Sequence, residues 1–244
     1  MFSDRFWYEM KLMGKRVTLT PILVMVGFAA IAALLHYLKV DPSRTLSAAL
    51  EMILPLMAGI VISAVTSQDQ AIELQLTVPR KYHLTVMRRL AIILGWTAIV
   101  TLLSSIIIVL LNLGFIPQDT PAWTNPLPFL VGQLTWIATL LWYVAAGLVL
   151  GLLTRSRAAS AALLCGIWIV EIIFKDLFGI SAWLKPVFLF PTTLLALGGP
   201  LPQALFNNWL DNRIEVLATG LVLLPIGWLL LRSPERLLKG SSEE

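Results

Sequence analysis

Leu127-Pro-Phe-Leu-Val-Gly-Gln-Leu-Thr-Trp-Ile-Ala-Thr-Leu-Leu-Trp-Tyr-Val-Ala-Ala-Gly-Leu-Val-Leu-Gly-Leu-Leu153 runs for 27 residues without one charged side chain. Wound as an α-helix at about 1.5 Å per residue, it is longer than the ~30 Å hydrocarbon core of a bilayer. Five further apolar runs have the same character: Val17 to Leu38, Thr45 to Val65, Leu90 to Ile116, Ala158 to Ile180 and Arg213 to Leu231. With 58% of residues hydrophobic and only 13% charged, the chain lies outside the composition of soluble domains. The sequence therefore predicts an all-α polytopic membrane protein, a single transmembrane domain over residues 1–244 with six transmembrane helices.

Orientation follows from the basic residues. Lys and Arg gather in the N-terminal arm (Arg5, Lys11, Lys15, Arg16), in the polar insert between the second and third runs (Arg80, Lys81, Arg88, Arg89), at Arg155 and Arg157, and in the tail (Arg232, Arg236, Lys239). The stretch from Pro117 to Asn125 on the other side has none. The excess of positive charge on cytoplasmic loops places both termini and the insert in the cytoplasm of a cell-membrane protein. The basic isoelectric point is a consequence of this topology, so no nucleic-acid partner is expected. The first apolar run is too long for the core of a cleaved signal, so the arm is expected to stay.

Residues 1–16 form an amphipathic arm. Phe2, Phe6, Met10, Met13 and Val17 share one helical face, and Asp4, Arg5, Lys11, Lys15 and Arg16 take the other. This is the pattern of an interfacial helix lying on membrane lipid, with Trp7 and Tyr8 as anchors. Residues 181–212 form a second irregular segment. Pro186, Pro191, Pro200 and Pro202, with Gly198-Gly199, divide it into apolar pieces too short to span. It is expected to dip into the outer leaflet or cap it, with Trp183 and Trp209 at the interface.

Ionisable residues within spans need partners. Glu171 and Lys175 stand one helical turn apart in the acid-first order, which predicts a pair. His36 near the end of the first span and Glu51 early in the second are expected at similar depth across a tight hairpin, within reach of a hydrogen bond. Both pairs are read as structural. Cys165 has no second thiol in the chain, which excludes a disulfide and leaves it a packing role. Gly147 and Gly151 have the small-residue spacing that lets membrane helices approach closely.

Signatures of soluble catalysis are missing from the sequence. It contains no phosphate-binding Gly-x-x-x-x-Gly-Lys-Ser/Thr loop, no His-Glu-x-x-His metal helix and no Gly-x-Ser-x-Gly elbow. Nor does it show the repeated halves with paired broken helices that many secondary transporters carry. No catalytic, cofactor or metal residue is assigned.

The polar insert, residues 67–89, carries the functional signal. From Gln68 to Val78 it has no helix breaker, Asp69 and Glu73 stand near its start, and Pro79-Arg80-Lys81 stops it. Ile72 with Leu76, and Leu74 with Val78, form neighbouring ridges on such a helix. The ridges suit either a connecting helix resting on lipid headgroups or a docking helix fitting a groove on another protein.

The run Glu73-Leu74-Gln75-Leu76-Thr77-Val78-Pro79-Arg80, followed by Arg88-Arg89 at the head of the third span, resembles the cytoplasmic segment of type-2 ABC exporter membrane subunits. So do the amphipathic arm, the six spans, the Phe190-Pro191 step in a broken outer segment and the short basic tail. Where that family often has a glycine just before the acidic residue, this chain has Gln70, Ala71 and Ile72. The resemblance implies that Asp69, Glu73, Leu74, Leu76, Pro79 and Arg80 contact a separate ABC ATPase subunit, which binds the ATP and magnesium. It also implies a dimer with a second copy or a related permease. Charge-poor spans favour an apolar or amphipathic cargo. The alternatives are a membrane-embedded enzyme acting on lipid or peptide, and a non-transporting immunity or scaffold subunit.

Overall fold

A computed structural model of the chain describes residues 15–67, 82–111, 117–118, 126–197 and 199–232. Most of the amphipathic arm and the stretch from Asp69 to Arg80 lie outside these residues.

The described chain is helical throughout, apart from short connections and one parallel two-residue bridge joining β1 (Pro117–Gln118) to β2 (Gly199–Pro200). Its helices are α1 (Lys15–Tyr37), α2 (Ser43–Ser67), α3 (Tyr82–Leu110), α4 (Pro126–Gly132), α5 (Leu134–Thr154), α6 (Arg157–Ile173), α7 (Lys175–Ile180), α8 (Pro191–Leu194) and α9 (Gln203–Leu231). Among the described residues, five helical stretches are long and apolar enough to cross a membrane: Val17–Tyr37, Ser43–Ser67, His83–Leu110, Phe129–Thr154 and Gln203–Leu231.

The 134–154 stretch lies at the centre. α5 buries Tyr143, Val144, Ala145 and Leu148 completely, with α2 on one side and α9 on another. Glycines permit the close approach. A β-carbon on Gly147 would stand 2.3 Å from the Gly59 carbonyl oxygen, and one on Gly151 would stand 2.2 Å from Thr66 Oγ1. Only hydrogen fits at these points, so the Gly147/Gly151 spacing is a packing seam between α2 and α5. α1 and α3 stand further out and leave many Leu, Ile and Val side chains exposed, such as Leu23, Val26, Leu103 and Ile107.

Local rules explain the turns. Asp41 Oδ1 accepts from the Ser43 N–H at 3.0 Å and from its hydroxyl at 2.5 Å, ahead of the first turn of α2. Those two bonds hold the Asp41 carboxyl below the usual carboxylate range. α5 ends on Arg155 in the left-handed conformation (φ 50°), and the Ser156 hydroxyl accepts from the Ala159 N–H at the start of α6. A two-residue corner results. In α2, residues Ala49–Ile53 form a π-helical turn in which the Leu54 N–H bonds back to the Ala49 carbonyl. Pro55 follows at once. It has no N–H to offer the Glu51 carbonyl four residues earlier, and its ring crowds that oxygen, so the widened turn relieves both problems.

Three expected boundaries move. The third long helix already begins at Tyr82, eight residues before the expected Leu90. The run from Ala158 to Ile180 is broken at Phe174 into α6 and α7; the 17 residues of α6 alone make ~26 Å, short of the hydrocarbon core. The last helix begins at Gln203, ten residues before the expected Arg213, so Gln203 to Asn212 belongs to a helix and not to the broken segment. Asp211, Arg213 and Glu215 depress the hydropathy there, but polar side chains continue a helix when the fold supplies partners.

Candidate functional site

The broken segment between α7 and α9 contains a 3-10 turn (Lys185–Val187), three residues without regular structure and the single turn of α8. Phe188, Leu189, Phe190, Pro191, Thr192 and Thr193 are all buried, so its backbone lies inside protein and needs partners there. Side chains from three helices supply them.

Glu51, aimed from the π-helical turn of α2, accepts from the Thr192 N–H at 3.1 Å through Oε1 and from the Thr193 N–H at 2.6 Å through Oε2. These are the second and third N–H groups of α8, which α8 cannot satisfy itself, and Pro191 fills the first position where no N–H is required. Glu171 of α6 accepts from the Leu189 N–H at 2.8 Å through Oε2. The carbonyl groups face α9. Arg213 donates from Nη1 and Nη2 to the Leu189 oxygen, both at 3.1 Å, and from Nη1 to the Thr135 oxygen of α5 at 3.2 Å. Asn212 Nδ2 donates to the Lys185 and Phe188 oxygens at 2.7 and 3.2 Å, and the Thr219 hydroxyl donates to the Pro186 oxygen at 3.1 Å.

Three contacts close the cluster. Arg213 Nη1 lies 3.3 Å from Glu51 Oε1, an ion pair with both side chains fully buried. Trp209 Nε1 donates to Thr192 Oγ1 at 3.0 Å, and Tyr143 stacks on Phe190 with ring centroids 5.9 Å apart. The carboxyl groups hold the segment's N–H groups, while Arg213 and Asn212 hold its carbonyls. The arrangement is a clamp: it fixes an irregular strap against α2, α5, α6 and α9. It has no paired nucleophile and base, and among the described residues no group of three His, Cys, Asp or Glu side chains is placed to hold a metal.

The expected pairs are not brought together. Glu171 turns inward to Leu189, and no ion pair joins it to Lys175, which is half-exposed beyond the break at Phe174. A break in the helix removes the one-turn spacing on which that pair depended. His36 is exposed and lines a groove, whereas Glu51 is buried with Arg213. Asp69, Glu73, Leu74, Leu76, Pro79 and Arg80 lie outside the described residues. Trp183 is exposed, in keeping with an interfacial place, but Trp209 is buried behind Thr192. The sequence alone does not set Arg213, Asn212 and Thr192 apart, because Thr192 and Asn212 lie in the expected broken segment and Arg213 at the edge of the last expected span. The signal available was Asn212-Arg213 in register with the apolar face of the last helix.

A second feature lies on the outer side of the bundle. An apolar groove of about 730 Å³ runs between α1 and α3, lined by Met25, Ala29, His36, Trp96, Leu103 and Ile107 among others. Trp96 Nε1 donates to the Thr18 oxygen at 3.0 Å and ties the two helices together near one end.

No family model, curated protein or solved structure matches this chain.

Proposed function

We propose that this chain is the membrane-spanning subunit of an ABC-type exporter, docking a separate ATPase through the insert and moving an apolar or amphipathic cargo outward. The observation that carries the reading is the insert itself: Glu73 to Arg80 between two membrane helices of an otherwise apolar all-helical protein, with Arg88-Arg89 in the first turns of the second helix. Asp69, Glu73, Leu74, Leu76, Pro79 and Arg80 form the ATPase contact, and the ATP and magnesium belong to the partner chain. With α6 and α7 together making one crossing, the spans number six and both termini are cytoplasmic in the cell membrane.

The clamp supports this reading mechanically. A strap held by carboxyl groups from α2 and α6 and by Arg213 from α9 moves only when those helices move relative to one another, which is what a push on the insert between α2 and α3 would do. ATP drives the cycle if the ATPase binds it more tightly in one of the two arrangements. The groove between α1 and α3 has the volume and the apolar lining that an amphipathic cargo or a dimer partner requires.

Affinity purification of the tagged full-length chain from its own host membranes is the test. The result expected is a stoichiometric partner bearing a phosphate-binding Gly-x-x-x-x-Gly-Lys-Ser/Thr loop, with ATP turnover in the purified complex. Purification of the chain as a catalytically silent single species under the same conditions contradicts the proposal.

A further inference from the structure

Two carboxyl groups and one guanidinium make up the fully buried charges among the described residues. Glu51 uses the guanidinium: Arg213 touches it at 3.3 Å, and two backbone N–H groups complete its shell. Glu171 has no such partner. Its side chain is 1% exposed, Oε2 accepts one N–H from Leu189, and Oε1 has no hydrogen-bond partner. No Lys, Arg or His among the described residues lies within ion-pair distance of it. The titratable and charged groups nearest to it from the packed elements are Tyr143 on α5, Arg213 on α9 and Glu51 on α2, with Cys165 and Lys175 in the same stretch of chain. Arg213 attracts a negative charge there and Glu51 repels one, and the guanidinium spends its hydrogen bonds on two backbone carbonyls and Asn212 while pairing with Glu51. A lone carboxylate in such surroundings costs far more than a neutral carboxyl that keeps its one acceptor bond.

We propose that Glu171 is a proton-binding site whose occupancy is coupled to the seating of the strap Lys185 to Leu194. While the strap is seated, the carboxyl carries a proton on one oxygen and accepts the Leu189 N–H on the other. The strap supplies that N–H through Leu189, which is itself fully buried. Lifting it opens Glu171 to water, the O–H bond breaks, the proton passes to a water molecule and the carboxylate remains. Linkage makes the effect reciprocal: protonation favours the seated strap, and its loss favours the lifted one.

Infrared spectroscopy of the purified full-length chain in vesicles at neutral pH tests this directly. The carbonyl stretch of a protonated carboxyl, shifted on exchange into heavy water, is expected in the wild type and absent from Glu171→Gln. Circular dichroism and thermal melting run in parallel, because Glu171→Gln reproduces the neutral group and should fold with a wild-type melting temperature. Absence of the band in the wild type, its persistence in Glu171→Gln, or failure of Glu171→Gln to fold each overturns the proposal; the last would show that the ionised carboxylate is needed.

Discussion

Glu51 links the strap to α9, since it neutralises Arg213 and satisfies two N–H groups of α8 at once. Removing its charge leaves a buried guanidinium unpaired, a loss on the order of 3 to 5 kcal/mol. Glu51→Gln should therefore lower the melting temperature of the detergent-purified protein sharply. Combining it with Arg213→Met should cost less than the sum of the two single changes by about 0.5–3 kcal/mol, because the charges are then removed together. Strict additivity would mean that the two groups do not interact. The sequence showed that Glu51 and Glu171 needed partners but not which ones. Spacing along one helix finds neighbours four residues apart, whereas Glu51 meets Thr192 and Arg213 across more than a hundred residues of chain. Arg213 was hidden for a related reason: a cation near an apolar run reads as its end, and only the surrounding carbonyls reveal it as interior.

At the scale of elements, the seam between α2 and α5 depends on three glycines, Gly59, Gly147 and Gly151. Gly147→Ala places a methyl against the Gly59 carbonyl, where backbone must shift, and should destabilise by about 1–3 kcal/mol. Gly166→Ala on α6 meets nothing within 4 Å and should be neutral or stabilising by up to about 1 kcal/mol. Thermal unfolding of both variants decides; equal effects would mean that α2 and α5 are not in such close contact. The glycine spacing was visible in the sequence, as were the five long apolar helices, because periodicity and length act locally. The break at Phe174 and the early start of α9 were not, because charged residues such as Glu171 and Arg213 read as interruptions or ends of an apolar run until their partners in the strap are known. The π-helical turn has a local cause in Pro55, yet its consequence, the aim of Glu51, exists only in the folded chain.

For the whole molecule, the excess of basic residues on one side gives a topology that can be checked without knowing the cargo. In a variant lacking Cys165, single cysteines at Gln75 and Ser241 should be protected from a membrane-impermeant thiol reagent in intact cells, and one at Thr120 should react. Labelling of Gln75 from outside would reverse the orientation and remove the insert from the ATPase side. The central claim is that the insert docks an ATPase, and Leu76→Asp tests it most directly. A charge on the apolar ridge meets a buried contact if the insert is docked, at a cost on the order of 3 to 5 kcal/mol, and meets headgroups or water if it is not. The measurement is recovery of the ATPase with the tagged chain, together with ATP turnover, at matched membrane levels of wild type and variant. The account predicts that Leu76→Asp inserts normally but loses the ATPase and its turnover; unchanged recovery and turnover would contradict it.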